Sequence, residues 1–294
     1  MKKLFIFAVA ALGMLACTGG HNDPELEKVE GALPGKFSVS ANTKVQFSQG
    51  NLQYHDSTNT WRFAENQWMI IANATYDKAI SESGWTDYIK WGMGDESAQD
   101  GNNFSENKKF TEWGNNVISN GGNKANMWRT LTADEWLYLL HGRTNAEELF
   151  ALGTVNDIPG LIILPDSWIT PSNLFFCPST EKGLTWGHEI DLGSNGIIDG
   201  YSIVDQENHY LDNNYSSSEW SIMETAGAVF LPAAGEDFNG TAYNVKEGGI
   251  YWSSDDSRNC LSFGVMNPMT RQTGVAPNGP SGFSSQGNSV RLVR

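Results

Sequence analysis

Asp191, Asn195, Gly196 and Asp199 stand at spacings that fit part of a calcium loop, in which hard oxygen ligands surround a turn that only glycine permits. Two positions depart from that pattern. Gly193 replaces the second ligand, and Ser202 stands where a bidentate Glu would close the coordination sphere. Asp205, Glu207 and Asp212 are further oxygen donors nearby, and a solvated acidic insertion explains the same residues without a metal. No resident cofactor is therefore expected, calcium being the one ion the pattern would admit. Other chemistry is not signalled. The chain contains no Gly-x-Ser-x-Gly, no His-Glu-x-x-His and no glycine-rich phosphate loop. Its histidines (His21, His55, His141, His188 and His209) show no metal-ligand spacing, and His141 falls at a predicted helix end, where a cation favours the dipole. Tyr201, Tyr210 and Tyr215 fall in predicted loops and could stack on sugar rings, whereas Trp136 and Trp252 are expected in the core.

The C-terminal stretch carries the strongest functional signal. Tyr251-Trp252-Ser253-Ser254 reads as a buried strand end, and Ser289 to Arg294 as a closing strand of alternating apolar and charged residues. Leu261, Phe263 and Val265 can share one strand face between them. From Asn267 to Asn288 the chain is, apart from Arg271, Gly, Pro, Ser, Asn, Gln and Thr, with only Met269, Val275, Ala276 and Phe283 to bury. Loops beyond about 12–15 residues without structure of their own are usually functional or disordered. Anchored at both ends, this one is expected to be held up for display.

The N-terminus predicts export. Lys2 and Lys3 precede an apolar stretch from Leu4 to Leu15, too short to span a bilayer. Met14-Leu15-Ala16-Cys17 is similar to a bacterial lipobox, which would make residues 1–16 a signal peptide and Cys17 the lipidated first residue. Residues 17–35 then read as a flexible tether, and residues 36–294 as a single domain whose display segment is 251–294. With a formal net charge of −15 the chain offers no basic cluster for nucleic acid; its expected attachment is to a membrane, through lipid. Cys177 and Cys260 are too few and too far apart for a disulfide framework; a single bridge and two packed thiols both remain open. Eleven Trp and fourteen Phe suffice for one sizeable core.

Several elements would position the display segment. Phe37 and Val39, Val45 and Phe47, then Leu52 and Tyr54 alternate with polar residues as period-two strands; Asp56 to Asn59 is a turn and Trp61-Arg62-Phe63 the next strand. Tyr76 to Gly122 lacks periodicity and is expected to be loop and short helix, pinned by Trp85, Trp91 and Trp113. Thr132-Ala133-Asp134-Glu135 and Ser216-Ser217-Ser218-Glu219 are capping boxes, each opening a helix. Gly160 to Pro165 is a continuously apolar, central strand, and Ala228 to Gly235 follows the second helix. Strands, two helices and strands again give an α+β class.

Several runs together resemble a known group. Trp128-Arg129-Thr130-Leu131-Thr132-Ala133-Asp134-Glu135-Trp136 is similar to the Trp-Arg-Leu-Pro-Thr-x-x-Glu-Trp segment of formylglycine-generating-enzyme-like domains. Val229 to Gly235, Tyr251 to Ser254 and Ser289 to Arg294 match later landmarks of that group, while Gly35 to Ser40 and Phe47 to Tyr54 resemble Bacteroidales lipoproteins. The group includes the Fibrobacter major paralogous domain family and the variable proteins of diversity-generating retroelements.

This resemblance, over roughly residues 35–294, implies a C-type-lectin-like fold: a mixed antiparallel sheet with two helices and extensive irregular loops. It also implies a ligand-binding surface between the Tyr-Trp-Ser-Ser strand and the final strand. Asp255, Asp256, Ser257, Arg258 and Asn259 would be exposed first, with Met266, Asn267, Met269, Arg271, Gln272, Asn278 and Ser285 contributing later. The enzymatic members need a reactive cysteine pair near the C-terminal end of the domain. Cys260 stands alone there, so no catalytic residue is expected. The expected role is a non-catalytic, outer-membrane lipoprotein that binds a protein or carbohydrate at the cell surface; the other is an accessory part of a fimbrial or polysaccharide-binding assembly.

Overall fold

A computed structural model describes residues 29–94, 109–191, 197–280 and 286–294, with the backbone alone at His188, Glu189 and Asp191. The predicted signal peptide, Cys17 and most of the predicted tether lie outside the described residues, as do Asn195, Gly196 and Ser285. The body starts earlier than expected. Leu33 is buried, its N–H donating to Phe47 O at 2.9 Å, and Gly31 O accepts from Gln49 N at 2.7 Å. Residues 31–35 are therefore part of the packed domain rather than tether, because Leu33 supplies apolar surface that the core covers.

The chain opens with β1 (Phe37–Ser38) and β2 (Lys44–Val45), a small antiparallel pair. Next, β3 (Leu52–His55) pairs with β4 (Thr60–Phe63) across a turn closed by Asn59 at φ +48°, and with β5 (Trp85–Thr86) on its other side. The strand β6 (Ile89–Lys90) follows. As expected, the alternating residues Phe37, Val39, Val45, Phe47, Leu52 and Tyr54 are all buried. In the irregular stretch that follows, Trp91 and Trp113 are buried pins, while Trp85 is half-buried beneath the Arg62 guanidinium, 3.7 Å from its ring.

Both capping boxes form. Thr132 and Glu135 cap α1 (Ala133–Leu137), which runs directly into a π-turn over Tyr138–Gly142. The continuously apolar run from Gly160 falls in β8 (Ile158–Ile163), which pairs with β7 (Phe150–Val155) inside a four-stranded sheet. A long hairpin of β9 (Thr185–Asp191) and β10 (Ile197–Val204) comes next, then β11 (Asn214–Tyr215). Ser216 and Glu219 cap α2 (Ser217–Thr225), and β12 (Val229–Pro232) pairs with β8. The remainder is β13 (Glu236–Phe238), β14 (Thr241–Tyr243), β15 (Gly248–Trp252), β16 (Cys260–Asn267), β17 (Gln272–Gly279) and β18 (Gln286–Asn288). The class is broadly α+β but strand-dominated: among the described residues there are several small sheets, mostly antiparallel, and two short α-helices. Among the described residues no helix is long and apolar enough to cross a membrane.

The largest sheet has the order β15-β16-β17-β10-β9. It changes the picture of the C-terminal segment. Residues 272–279 are not a displayed loop; they form the central strand, hydrogen-bonded to β16 on one side and β10 on the other. From Gln272 to Pro277 every residue is buried. Small side chains make this possible: a Cβ on Gly200 would lie 2.7 Å from Val275 O, and one on Gly274 2.9 Å from Tyr201 O. Either substitution would force the strands apart.

The closing segment also differs from a regular strand. Val293 makes isolated bridges to Phe47 and Arg129, and Ser289 to Tyr251. Arg291 points inward, fully buried, and donates to Gln67 Oε1 at 2.7 Å and Asn51 Oδ1 at 3.3 Å. Cys177 and Cys260 are separate, buried free thiols, and burial pushes the Cys260 thiol up to about 12.

Candidate functional site

The antiparallel register of β15, β16 and β17 divides the expected binding residues into two groups. Asp255 to Asn259 form the turn between β15 and β16, whereas Asn267 to Gln272 form the turn at the opposite end of β16. At roughly 3.3 Å per residue, the eight residues of β16 hold these turns about 25 Å apart. One small ligand cannot span both, so the single surface implied by the resemblance resolves into two ends.

The first end is built into the body. The Asp255 carboxylate accepts from Ala133 N, at the first position of α1, and Ser254 N donates to Leu131 O at 3.0 Å. Asp255 therefore extends the cap begun by Thr132 and Glu135, satisfying another N–H that the helix leaves free. Arg258, held at φ +59° by a turn from Asp255 O, lies 5.4 Å from the Trp91 ring. Asn259 Nδ2 donates to Asn278 Oδ1, and Ser253 Oγ to Asn259 O. Only Asp256, Ser257 and Asn278 of this group stand exposed. Asp255→Ala is expected to cost about 0.5–2 kcal/mol of stability, the range for losing a helix cap. Chemical denaturation would check it, and an unchanged midpoint would mean the cap is not formed.

The second end is a presented tip. Asn267 Oδ1 accepts from Met269 N at 3.0 Å and Thr270 N at 3.2 Å, an Asx turn that lifts Met269 into solvent at 96 % exposure. Arg271, also exposed and at φ +57°, reaches across to Gln206 O at 3.4 Å. Beside it lies a cleft of about 310 Å³ lined by Asp205, Glu207, Glu247, Pro268 and Arg271. Exposed Val265 and Val204 border the tip through their partners Thr273 and Gln272. Gln272 itself is a correction: it is buried, with Nε2 on Ser202 Oγ at 3.3 Å, because its place in the central strand covers it with β10. Met266 is half-buried and opens on a second cleft of about 250 Å³ with Glu236, Asn244 and Ser262.

The expected calcium region is also different. Its flanks are the strands β9 and β10, with Asp199 and Ser202 paired to His188 and Thr185. Beyond them, Asp205 and Asp212 enclose a buried His209: Nε2 lies 3.0 Å from Asp205 and Nδ1 2.8 Å from Asp212. Burial alone would lower the imidazole pKa, but the two carboxylates outweigh it and raise it. Protonated, His209 fixes Asp205 at the mouth of the cleft beneath the tip. The spacing Asp205-x3-His209-x2-Asp212 carried this signal in the sequence. Among the described residues no group of three or more His, Cys, Asp or Glu is placed to hold a metal. The three tyrosines expected in loops, Tyr201, Tyr210 and Tyr215, are buried instead, while Trp136 and Trp252 are packed as expected. Each tyrosine fills the core and ties its hydroxyl to a polar partner, Tyr210 to Glu247 O at 3.0 Å.

No protein-family model, curated protein or solved structure matches the chain.

Proposed function

We propose that this is a lipid-anchored cell-envelope binding protein with a C-type-lectin-like fold, without catalysis, whose recognition surface is the β16–β17 tip and the acidic cleft beside it. One observation carries this reading: a 96 % exposed Met269 at the end of a hairpin whose second strand, β17, is core. Isolated apolar side chains on a surface need no explanation. Here, however, the tip is fixed by an Asx turn and flanked by Arg271, Asp205 and Glu207, so an apolar anchor sits inside a polar rim. That is the anatomy of a protein-binding hot spot, and a rigid tip loses little conformational freedom on binding. A protein ligand suits it better than a glycan, because no exposed aromatic ring lines the cleft. The lipobox-like Met14 to Cys17 supports outer-membrane anchoring. Were the segment diversified by a retroelement, Met269 and Arg271 could vary freely while Gln272 could not.

A surface-protein array probed with the exported chain tests the reading. Hits are expected to weaken at least about tenfold with Met269→Ala plus Arg271→Ala, the loss of one hot-spot contact, and to persist with Asp256→Ala plus Ser257→Ala. The opposite pattern would move recognition to the other end of the sheet.

A further inference from the structure

The sheet of order β14-β13-β18-β6 presents aromatic rings to solvent. Its register pairs Glu236 with Tyr243, and Phe238 with both Thr241 and Gln286, so these five side chains share one face. Asp237 and Ala242 are buried on the other. Tyr76, from the loop before β5, leans on Tyr243 with ring centroids 5.4 Å apart and planes at 81°. The two rings make a floor and a wall, and Tyr76 stands 76 % exposed.

Tyr76 is held out against its own backbone preference. Its φ is +74°, a region suited to Gly and Asn, where a bulky aromatic residue is an outlier. The other non-glycine residues with positive φ among the described residues are Asn, Asp, Lys or Arg. The loop is stitched to β14 and cannot relax. Tyr76 N donates to Ala242 O at 2.7 Å, Ala79 N to Gly240 O at 3.1 Å, and Ala242 N to Asp77 O at 2.9 Å. Asp77 Oδ2 also accepts from Asn73 N and Ala74 N, each at 3.0 Å. An aromatic ring that is strained, fixed and outside the core points to use rather than packing.

The same face borders the cleft of about 250 Å³ on which Met266 opens, through Glu236, Asn244 and Gln286. Asn244 Nδ2 donates to Glu236 Oε1 at 2.9 Å, which leaves Oε2 without a partner among the described residues. Gln286 is the independent observation. It is 3 % exposed, yet its side-chain amide makes no hydrogen bond among the described residues, and the surface it keeps opens on this cleft. A buried amide with donor and acceptor both idle is destabilising unless a ligand supplies the partners.

These groups narrow the ligand. An amide that donates and accepts, beside a carboxylate oxygen and the Ser262 hydroxyl, suits hydroxyl groups, each of which does both. The open tyrosine rings suit the C–H face of a pyranose. A peptide strand finds no free edge, since the backbone donors of Tyr76, Ala79 and Ala242 are already taken. A phosphate finds no Lys or Arg among the described residues that line the cleft. Neighbouring strands lie about 4.8 Å apart, so Tyr243 on β14 and Gln286 on β18 stand about 10 Å apart, the reach of two sugar units. We propose that this face binds a short saccharide, one ring stacking on Tyr76 and Tyr243 and the next bonded by Glu236 and Gln286. It is a site separate from the protein-binding tip.

The test is saturation-transfer NMR and calorimetry of the full chain with maltotriose, cellotriose, chitotriose and mannotriose. At least one is expected to bind saturably. Tyr76→Asn and Gln286→Leu should each raise its Kd about tenfold, the loss of one stacking or hydrogen-bonding contact. Both should unfold at or above the wild-type temperature, because Asn takes a positive φ more readily than Tyr and Leu leaves no idle polar group. Met269→Ala should leave the Kd unchanged, which separates this site from the tip. Absence of saturable binding by all four sugars would overturn the proposal. So would binding that survives both substitutions, or that falls only where the unfolding temperature falls with it. Saturable binding of inorganic phosphate or a proline-rich peptide at this face, with no sugar bound, would also overturn it.

Discussion

Asp87→Asn should abolish most of the pH dependence of stability between about pH 4 and pH 7. Asp87 is fully buried, and its Oδ2 accepts from Ile71 N at 3.1 Å. Burial raises its pKa to about 7, against smaller opposing contributions from the backbone N–H groups of Ile71 and Asp87 itself. The folded chain therefore holds a proton there that the unfolded chain releases near pH 4. For a pKa raised on folding, the contribution to stability is complete below the unfolded value and disappears as pH rises through the folded one. A separation of about three pH units corresponds to about 4 kcal/mol, a large share of a typical domain's stability. Urea unfolding at several pH values should show wild type losing about that much from acid to neutral pH. Asn has the shape of the protonated acid and can keep the Ile71 contact, so the variant should lack this contribution and keep only the slope supplied by groups such as Glu236 and Asp237, whose pKa values burial also raises.

The second large effect contrasts two residues only six positions apart. Val275→Ala, at the centre of β17 between Phe263 and Tyr201, should cost about 2–3 kcal/mol, the lost transfer free energy of the side chain plus the cavity it leaves. Met269→Ala should stay within about 0.5 kcal/mol, because its side chain touches little but water. Denaturant midpoints at constant slope would measure both. Equal, small losses would return the whole segment to the status of a displayed loop.

Local rules were legible in the sequence where they act within a few residues. The two capping boxes, the turn at Asn59, the alternation from Phe37 to Tyr54 and the buried run into β8 all follow from spacing alone, and all form. What escaped was long-range. Gln272 to Gly279 contains no large apolar residue, so periodicity gave no strand signal there. It is a strand because β10 and β16 approach it closely enough to require Gly and Ala, a demand set by residues 60 or more positions away in β10. The same distance hid the contact of His141 with Tyr201. Tyr201 looked like a loop residue because the acidic composition around Asp191 to Asp199 masked a β-hairpin. Of the expected ligand contacts, the type of residue was a poor guide to exposure: Gln272 is polar yet buried, Met269 apolar yet exposed. The backbone register decided both.

Amide hydrogen exchange resolved by residue bears most directly on a C-terminal segment that is core at β17 and presented only at its tip. The amides of Val275 and Ala276 should exchange as slowly as those of Leu161 and Ile162 in β8, near the limit of global unfolding, while those of Met269 to Arg271, held only by the exposed Asx turn, exchange far faster. Uniformly fast exchange from Asn267 through Gly279 would contradict it.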